Sequence, residues 1–340
     1  MPMPPENYRG HAIALFSGGL DSALAIILIM QQKIRVTALT FLTDFCRDDI
    51  AAQKTGFDSH PIARDFGFPV KTIYLGDEMF EIVKNPRYGY GKNMNPCIDC
   101  HILMLRKAAE IMNELAADFV VTGDVLGQRP KSQHRNGLNA IEKKSRLTGY
   151  LLRPLSARLL DETIPEKNGL LDRSALEAIS GRSRRRQYQL AEQFNLTGFQ
   201  SPGGGCLLTN PQFSARLREH IRHNDDFNAL DINILKVGRH FRLDDKTKLI
   251  VGRNEVDNEK ILALATPRHI ILEAPGTGSP IALFIGPPDN EKLLQAAAIT
   301  ARYCDLKNKP EVTMVASRND KSERFRIRPA TASEAAGFQI

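Results

Sequence analysis

The chain has 340 residues, enough for two or three domains, and its 42% hydrophobic and 25% charged residues are typical of a soluble globular protein. No window approaches the roughly 18 apolar residues that span a bilayer, and the N-terminus lacks the apolar segment of a signal peptide, so we expect a cytoplasmic protein without a membrane partner. A net charge of +7 favours an anionic partner, and an odd number of cysteines, five, argues against a disulfide framework.

Apolar runs alternate with helical patterns through the first 155 residues. The predicted helices cover 21–32, 61–66, 77–84 and 98–117, and the predicted strands are HAIALF, IRVTALTFL, VKTIYLG, FVVTGD and YLLRPL. Strands that alternate with helices indicate a parallel sheet covered on both faces. Residues 1–155 are therefore predicted to form a doubly wound, Rossmann-like α/β domain.

The rest of the chain is predicted to form two further parts. Residues 156–233 form a small, basic helical region with helices in DRSALEAIS, RRRQYQLAEQF and PQFSARLREHIRH, and with the glycine-rich link SPGGGCLLTNP. Residues 234–340 begin with a hairpin, ILKVGRHFRL and KLIVGRN around the turn DDKT, and continue as strands and helices. This pattern predicts a separate α+β module.

The stretch SGGLDS joins the first predicted strand to the first predicted helix. Adjacent glycines let the backbone turn so tightly that its N–H groups converge on an anion at the helix N-terminus. The hydroxyls of Ser17 and Ser22 can donate to the same anion, whereas Asp21 would repel a phosphate. A divalent cation, Mg²⁺, would resolve that conflict by bridging carboxylate and phosphate oxygens. The alternative is a tight turn in which Asp21 or Ser22 only caps the helix.

SGGLDS resembles the SGGxDS signature of the PP-loop ATP pyrophosphatases, which belong to the HUP class of folds. Members of that superfamily split ATP between its α- and β-phosphates and adenylate a carbonyl-type oxygen. The resemblance implies an ATP site, and two residues at the end of the second strand are weaker candidates for adenine recognition. The implied ATP-binding residues are Ser17, Gly18, Gly19, Asp21, Ser22, Thr40 and Phe41.

The fourth predicted strand runs into VTGDVLGQRP. Ligands of open α/β sheets bind beyond the carboxyl ends of the strands. Thr122, Gly123 and Asp124 are therefore expected to face the nucleotide, and Asp124 is a candidate catalytic residue. Gln128 and Arg129 are expected to lie close to the activated substrate.

Three cysteines are candidates for sulfur chemistry. Cys97 and Cys100, in NPCIDCH, begin a predicted helix whose N-terminus favours thiolates, and Cys206 follows three glycines. The CxxC pair is a chelate for a soft metal or a buried structural pair. A fourth ligand, His101 or Cys46, would complete a structural zinc site, whereas an open position would let a [4Fe–4S] cluster carry a hydrosulfide. Cys304 is expected to pack in a core.

The PP-loop followed by NPCxxC resembles the tRNA thiolases, including the MnmA-type 2-thiouridylases and the ThiI-type 4-thiouridine synthetases, over residues 10–220. The resemblance implies adenylation of a uridine carbonyl oxygen, release of pyrophosphate and sulfur transfer from a [4Fe–4S]-bound hydrosulfide. It implies tRNA and a sulfur donor, either inorganic sulfide or a cysteine desulfurase system, as partners. The implied catalytic residues are Asp21, Asp124 and the cluster ligands Cys97, Cys100 and Cys206.

Clustered cations are what a polyphosphate backbone requires, and four arginines fall within SGRSRRRQ. In the C-terminal part, VGRNEVDNEKI resembles the NFACT-R (DUF814) RNA-binding module, which implies four further RNA contacts; the alternative is that these cations lie on solvated faces of the hairpin. The predicted RNA-binding residues are Arg129, Arg182, Arg184, Arg185, Arg186, Arg239, Arg242, Lys248 and Arg253.

Three alternatives to cluster-dependent thiolation stay open. A persulfide on Cys206 could deliver sulfur through a disulfide with Cys97 or Cys100. The chain could be a PP-loop ligase that transfers no sulfur, or an RNA-binding protein that only senses ATP. The sequence selects neither the uridine nor its O2 or O4 atom, and it is compatible with a monomer or a homodimer.

Overall fold

The computed structural model describes residues 8–47, 60–200, 205–224 and 226–340. The chain divides into two compact units, Met1–Thr209 and Asn210–Ile340. Residues 156–233, predicted as a separate region, therefore contribute to both units. No helix in the described ranges is both long enough and apolar enough to cross a membrane.

The N-terminal unit is built on a five-stranded parallel sheet with strand order β3-β2-β1-β4-β5. Its strands are β1 (Gly10–Leu15), β2 (Ile34–Leu42), β3 (Val70–Tyr74), β4 (Phe119–Val121) and β5 (Leu151–Leu152). Its α-helices are α1 (Leu20–Met30), α2 (Pro61–Phe66), α3 (Gly76–Lys84), α4 (Cys97–Glu114), α5 (Arg135–Lys144), α6 (Ile164–Lys167) and α7 (Arg185–Gln193). Short 3₁₀ turns occupy Ala157–Leu159, Arg173–Ala175 and Leu207–Thr209.

The central strand β1 is covered on both faces. All four residues from His11 to Ala14 are buried, and successive side chains of a strand point to opposite faces. Helix α1 packs against β2 and α7, and helix α4 packs against β1, β4 and α5. Nine of the eleven residues of α1 are buried. The predicted doubly wound α/β class is confirmed.

The order of the strands places a crevice at the end of β1. Strands β2 and β3 lie on one side of β1, and β4 and β5 lie on the other. Such a switch point is where doubly wound sheets bind ligands, beyond the carboxyl ends of the strands. The loops that leave β1 and β4 begin with Phe16 and Thr122, so SGGLDS and VTGD meet at this edge.

The C-terminal unit contains a six-stranded antiparallel sheet with strand order β11-β10-β8-β9-β7-β6. Its strands are β6 (Arg239–Arg242), β7 (Lys248–Val251), β8 (Ile270–Glu273), β9 (Ala282–Ile285), β10 (Val312–Arg318) and β11 (Lys321–Ile327). Its helices are α8 (Pro211–His223), α9 (Ala229–Lys236), α10 (Glu255–Leu264), α11 (Asn290–Ala301) and α12 (Ala332–Ala336). The predicted α+β module and its opening hairpin, β6 and β7, are confirmed.

One predicted helix is wrong. Only Arg173–Ala175 of the segment DRSALEAIS forms a turn, a 3₁₀ turn capped by Asp172. The N–H groups of Glu177 and Ile179 instead donate to the carbonyls of Pro154 and Leu155, at 2.9 and 2.8 Å. These hydrogen bonds hold residues 177–179 in an extended conformation beside the segment that follows β5. Because these N–H groups already donate to that segment, they cannot donate within a helix.

Candidate active site

The loop between β1 and α1 holds its own shape through two serines. Gly18 has a φ of +79°, in the left-handed region that favours glycine. Ser22 Oγ donates to the carbonyl of Gly19 at 2.9 Å and lies 3.1 Å from Ser17 Oγ. Helix α1 begins after Gly19 without a side-chain cap, so its first N–H groups point into the crevice. The loop therefore combines a rigid turn with an open helix N-terminus, the arrangement that binds phosphate.

Asp21 is the best-placed cation ligand of this loop. Its Oδ2 accepts a hydrogen bond from Gln128 Nε2 at 2.8 Å and lies 3.3 Å from the guanidinium of Arg184. Its Oδ1 is buried and receives no hydrogen bond from the described residues. A buried, unsatisfied carboxylate oxygen is costly unless a ligand completes it. The donor set at Asp21 thus fits a Mg²⁺ ion that takes its remaining ligands from ATP phosphates and water.

The loop after β4 presses directly on the PP-loop helix. A Cβ atom placed on Gly123 would lie 2.6 Å from Asp21 C and from Ser22 N, so only a glycine permits this approach. The neighbouring Thr122 is buried, and its hydroxyl donates to Asp124 at 3.0 Å. Both Thr122 and Gly123 therefore lie at the carboxyl end of β4, against the start of α1, and their contact with a nucleotide stays a prediction.

Asp124 is buried and held by three neighbours. Besides Thr122, Gln133 Nε2 donates to it at 2.8 Å, and His101 Nδ1 lies 3.9 Å away. Burial opposes ionisation of Asp124, but the charges of His101 and Arg153 and the hydrogen bonds outweigh it and lower its pKa. Burial lowers the pKa of His101, against the charge of Asp124. These contacts give Asp124 an anchoring role in the loop, and its catalytic role stays a prediction.

The two candidates for adenine recognition, Thr40 and Phe41, are both buried within the fold. Thr40 is fully buried, and its hydroxyl donates to the carbonyl of Phe16 at 2.7 Å. Phe41 is buried with 7% of its surface exposed. Their backbone groups belong to β2, which pairs with β3 at this point. Adenine recognition by Thr40 and Phe41 stays a prediction.

Cys97 and Cys100 occupy the first turn of α4, as predicted. Burial raises the pKa of the Cys97 thiol, and the positive charges of Arg129 and Lys131 offset this effect only in part. Arg129 and Lys131 belong to the loop that follows β4, the same loop that donates to Asp21 through Gln128. One loop therefore connects the PP-loop carboxylate to the CxxC motif.

Residues on either side of Cys206 also contact the PP-loop and the segment just before the CxxC motif. Before this cysteine, Gln200 donates its N–H to the carbonyl of Gly18 in the PP-loop, at 3.0 Å. After it, the carbonyl of Leu208 accepts from the N–H of Met94, at 3.1 Å, three residues before Cys97. The predicted proximity of Cys206 to both the PP-loop and the CxxC motif is thus supported by backbone contacts.

A metal centre is not assembled by these side chains. The described residues contain no group of three or more His, Cys, Asp or Glu side chains that could hold a metal ion. Cys97, Cys100 and Cys206 as placed do not fit a [4Fe–4S] cluster, and neither His101 nor Cys46 completes a zinc site with them. Cys46 instead pairs with Cys206 in an antiparallel bridge. The cluster stays a prediction, and no reaction step is derived through it.

The arginines of SGRSRRRQ separate into two groups. Arg182, Arg185 and Arg186 are exposed, and Arg186 also forms an ion pair with Glu177 at 2.6 Å, whereas Arg184 is half-buried and contacts Asp21. The contact between Arg184 and Asp21 was missed by sequence reasoning, because four similar arginines within five residues give no sign of which one turns inward. Arg129 is exposed beside the CxxC motif, and RNA contact by these arginines stays a prediction.

In the C-terminal unit all four predicted RNA-binding cations have partners within the protein, and Arg242 and Lys248 both bind Glu219. The guanidinium of Arg239 lies 4.6 Å from the ring centroid of Tyr303, and Arg253 binds Asp257 through two nitrogen atoms. RNA contact by these four residues stays a prediction.

The same unit encloses a cavity of about 260 Å³ between α8, α9 and the hairpin. Glu219, near this cavity, binds two cations of its wall, Arg242 and Lys248, the second at 3.1 Å. Burial opposes ionisation of Glu219, but these two cations outweigh it and lower its pKa. Burial lowers the pKa of Lys248 to about 8 despite Glu219. One buried and two half-buried charges thus depend on one another.

Two family models match separate parts of the chain. The family described as "Thiamine biosynthesis protein (ThiI)" matches residues 7–164, and "NFACT protein RNA binding domain" matches residues 238–339. The first covers the parallel sheet with its PP-loop and CxxC motif, and the second covers the antiparallel sheet. These matches confirm the two resemblances drawn from the sequence.

Curated relatives carry names from tRNA thiolation. The chain is 29% identical to the tRNA-specific 2-thiouridylase MnmA of Cytophaga hutchinsonii, over 34% of each chain. It is 29% identical to the probable tRNA sulfurtransferase of Methanosarcina acetivorans, over 36% of this chain and 30% of the relative. It thus spans about a third of the length of these relatives. A solved 4-thiouridine synthetase–RNA complex with bound ATP is 19% identical over 55% of this chain and 52% of the other, with a TM-score of 0.36.

Proposed function

We propose that this chain, in which a ThiI domain precedes an NFACT RNA-binding domain, is an ATP-dependent tRNA sulfurtransferase that produces thiouridine. The observation that carries the proposal is the loop after β4, which contacts Asp21 of the PP-loop through Gln128 and places Arg129 and Lys131 beside Cys97. One loop therefore approaches both the group proposed to activate the nucleotide and a group proposed to handle sulfur. The exposed arginines Arg182 and Arg185 and the NFACT domain support tRNA as the partner.

ATP would bind with its phosphates at the N-terminus of α1. The N–H groups of the uncapped first turn and the hydroxyl of Ser17 donate to phosphate oxygens. Asp21 would hold a Mg²⁺ ion, which would supply positive charge at the phosphates. Arg184, whose guanidinium lies 3.3 Å from Asp21, would add positive charge near the same phosphates. Gln128 holds the carboxylate through Oδ2, which leaves Oδ1 as the oxygen that would bind the cation.

The activation step joins uridine to AMP. A carbonyl oxygen of an unstacked uridine attacks the α-phosphorus, the bond to the bridging oxygen breaks, and pyrophosphate leaves. Sulfur then adds to the activated carbon, and AMP departs with the original oxygen. The thiolate is the nucleophilic form of cysteine. Burial raises the pKa of Cys97, and the positive charges of Arg129 and Lys131 limit that rise.

Cys97, Cys100 and Cys206 are the proposed sulfur-handling residues. A cysteine desulfurase system or inorganic sulfide would supply the sulfur. Because the described side chains assemble no metal site, we favour a persulfide carried on cysteine over a cluster-bound hydrosulfide. Iron and zinc analysis of anaerobically purified protein tests this choice directly, since one cluster requires four iron atoms per chain.

The decisive experiment supplies the full chain with ATP, Mg²⁺, unmodified tRNA and a sulfur donor. We expect pyrophosphate release that depends on tRNA, together with a thionucleoside detected by mass spectrometry after tRNA digestion. Asp21→Asn should abolish both, and Cys206→Ala should abolish only the thionucleoside. The matched control is Cys304→Ala, which removes a buried cysteine of the C-terminal unit.

Two other results would contradict the proposal. Pyrophosphate release without a thionucleoside, unchanged in Cys97→Ala and Cys206→Ala, would instead indicate a PP-loop ligase. Binding of tRNA and ATP without pyrophosphate release would indicate a protein that senses ATP.

A further inference from the structure

Cys46 and Cys206 are paired across two short chain segments. The N–H of Arg47 donates to the carbonyl of Gly205 at 3.1 Å, and the N–H of Leu207 donates to the carbonyl of Phe45 at 2.8 Å. These two hydrogen bonds define an isolated antiparallel bridge with the two cysteines opposite each other. The segments are about 160 residues apart in sequence, so the contact is entirely tertiary.

The type of pair decides what the two thiols can do. Both hydrogen bonds join the neighbours of the cysteines rather than the cysteines themselves, so this is a non-hydrogen-bonded pair. In such pairs the Cα atoms lie about 4.5 Å apart and the side chains project from the same face. A disulfide needs Cα atoms at about 4.4–6.8 Å, so a pair of this type falls within the range that a disulfide bridges. Both cysteines are in the reduced state here.

The two thiols differ in access to solvent. Cys46 is buried with 9% of its surface exposed, whereas Cys206 is partly exposed. An external sulfur donor would therefore reach Cys206 first. The remaining cysteines are placed differently: Cys97 and Cys100 share one helical turn, and the Cys304 thiol donates to Ala301 at 3.0 Å in the C-terminal unit.

We propose that Cys46 is the resolving thiol of Cys206. This role rests on the proposed thiolation. In it, Cys46 takes the place of Cys97 or Cys100 as the partner of a persulfide on Cys206. The Cys46 thiolate attacks Cys206 Sγ, a bond forms between the two cysteine sulfurs, and the outer S–S bond of the persulfide breaks. The outer sulfur leaves as hydrosulfide with the electron pair of that bond and is free to attack the activated uridine. A dithiol reductant then returns both cysteines to thiols.

The first test needs neither tRNA nor ATP. The reduced full chain is loaded with sulfane sulfur from inorganic polysulfide, desalted, blocked with an alkylating agent and digested without reduction. We expect hydrosulfide release and a disulfide-linked peptide pair containing Cys46 and Cys206. A link from Cys206 to Cys97 or Cys100, or a Cys206 persulfide that persists in the folded wild-type chain, would overturn the proposal.

The second test uses Cys46→Ser, with Cys304→Ser as the matched control for loss of a buried thiol. Cys46→Ser should retain the persulfide on Cys206 and release hydrosulfide at least tenfold more slowly, and dithiothreitol should restore release by acting as the resolving thiol. Circular dichroism establishes that the variant is folded. Equal release by both variants would refute the assignment. If the disulfide forms but the wild-type chain makes no thionucleoside, the proposed function fails while the pairing stands.

Discussion

Gly123 offers the sharpest test of the site, because a single methyl group should separate the two loops that form it. The Cβ atom of Gly123→Ala would meet Asp21 C and Ser22 N at 2.6 Å, well inside the 3.4 Å at which ordinary contact begins. All three of the nearest atoms are backbone atoms at the start of α1, so no flexible side chain can yield. One of the two backbones must therefore move by about 0.8 Å.

Two quantities should change. Forced overpacking of this kind costs about 2 kcal/mol of the free energy of unfolding. A displacement near 1 Å of a catalytic group costs on the order of 100-fold in rate, so tRNA-dependent pyrophosphate release should fall by about that factor. The chain has no tryptophan, so urea unfolding is best followed by circular dichroism, and pyrophosphate by a coupled phosphate assay.

The control is Gly337→Ala. A Cβ atom there would meet its nearest neighbours at 3.7 and 3.8 Å, and the residue has a φ of −62°, which alanine adopts readily. Its stability and its pyrophosphate release should match those of the wild type. If Gly123→Ala behaves like Gly337→Ala in both assays, the loop after β4 does not set the position of the PP-loop, and the reasoning is refuted.

Two further predictions follow from ion pairs. Arg184→Gln should lower pyrophosphate release at least tenfold, because it removes the contact with Asp21. Arg185→Gln should only weaken tRNA binding and reduce the salt dependence of that binding, which filter binding measures. Equal effects of the two variants on pyrophosphate release would contradict the assignment. Glu219→Gln should destabilise the chain in urea by on the order of 3 kcal/mol, since it leaves two cations without their counter-charge. The pKa of Glu219 is lowered in the folded state, so its contribution to the free energy of unfolding is complete above the ordinary pKa of 4.5. The difference in this free energy between wild type and variant should therefore shrink as the pH falls below 4.5. A difference that does not change with pH would refute this account.

Local patterns were sufficient for most of the fold. Helices 61–66 and 211–223 and strand 34–42 begin and end where the sequence predicts, because alternation, caps and breakers act over a few residues. The helix predicted in DRSALEAIS is wrong because its backbone hydrogen bonds go to Pro154 and Leu155, which a local pattern cannot anticipate. The helix Arg135–Lys144 was missed, since its sequence, RNGLNAIEKK, contains a glycine and two asparagines that weaken the helical signal.

The sequence by itself determined the chemistry that the site contains. SGGLDS specifies a tight turn before a helix, and NPCIDCH places two thiols in a first helical turn, because each depends only on neighbouring residues. The tertiary structure alone decided which groups meet. Gln128 and Arg184 reach Asp21 from 107 and 163 positions away, and Cys206 finds Cys46 rather than a third metal ligand. Such contacts depend on the order of the strands and the paths of the loops, which no local pattern encodes.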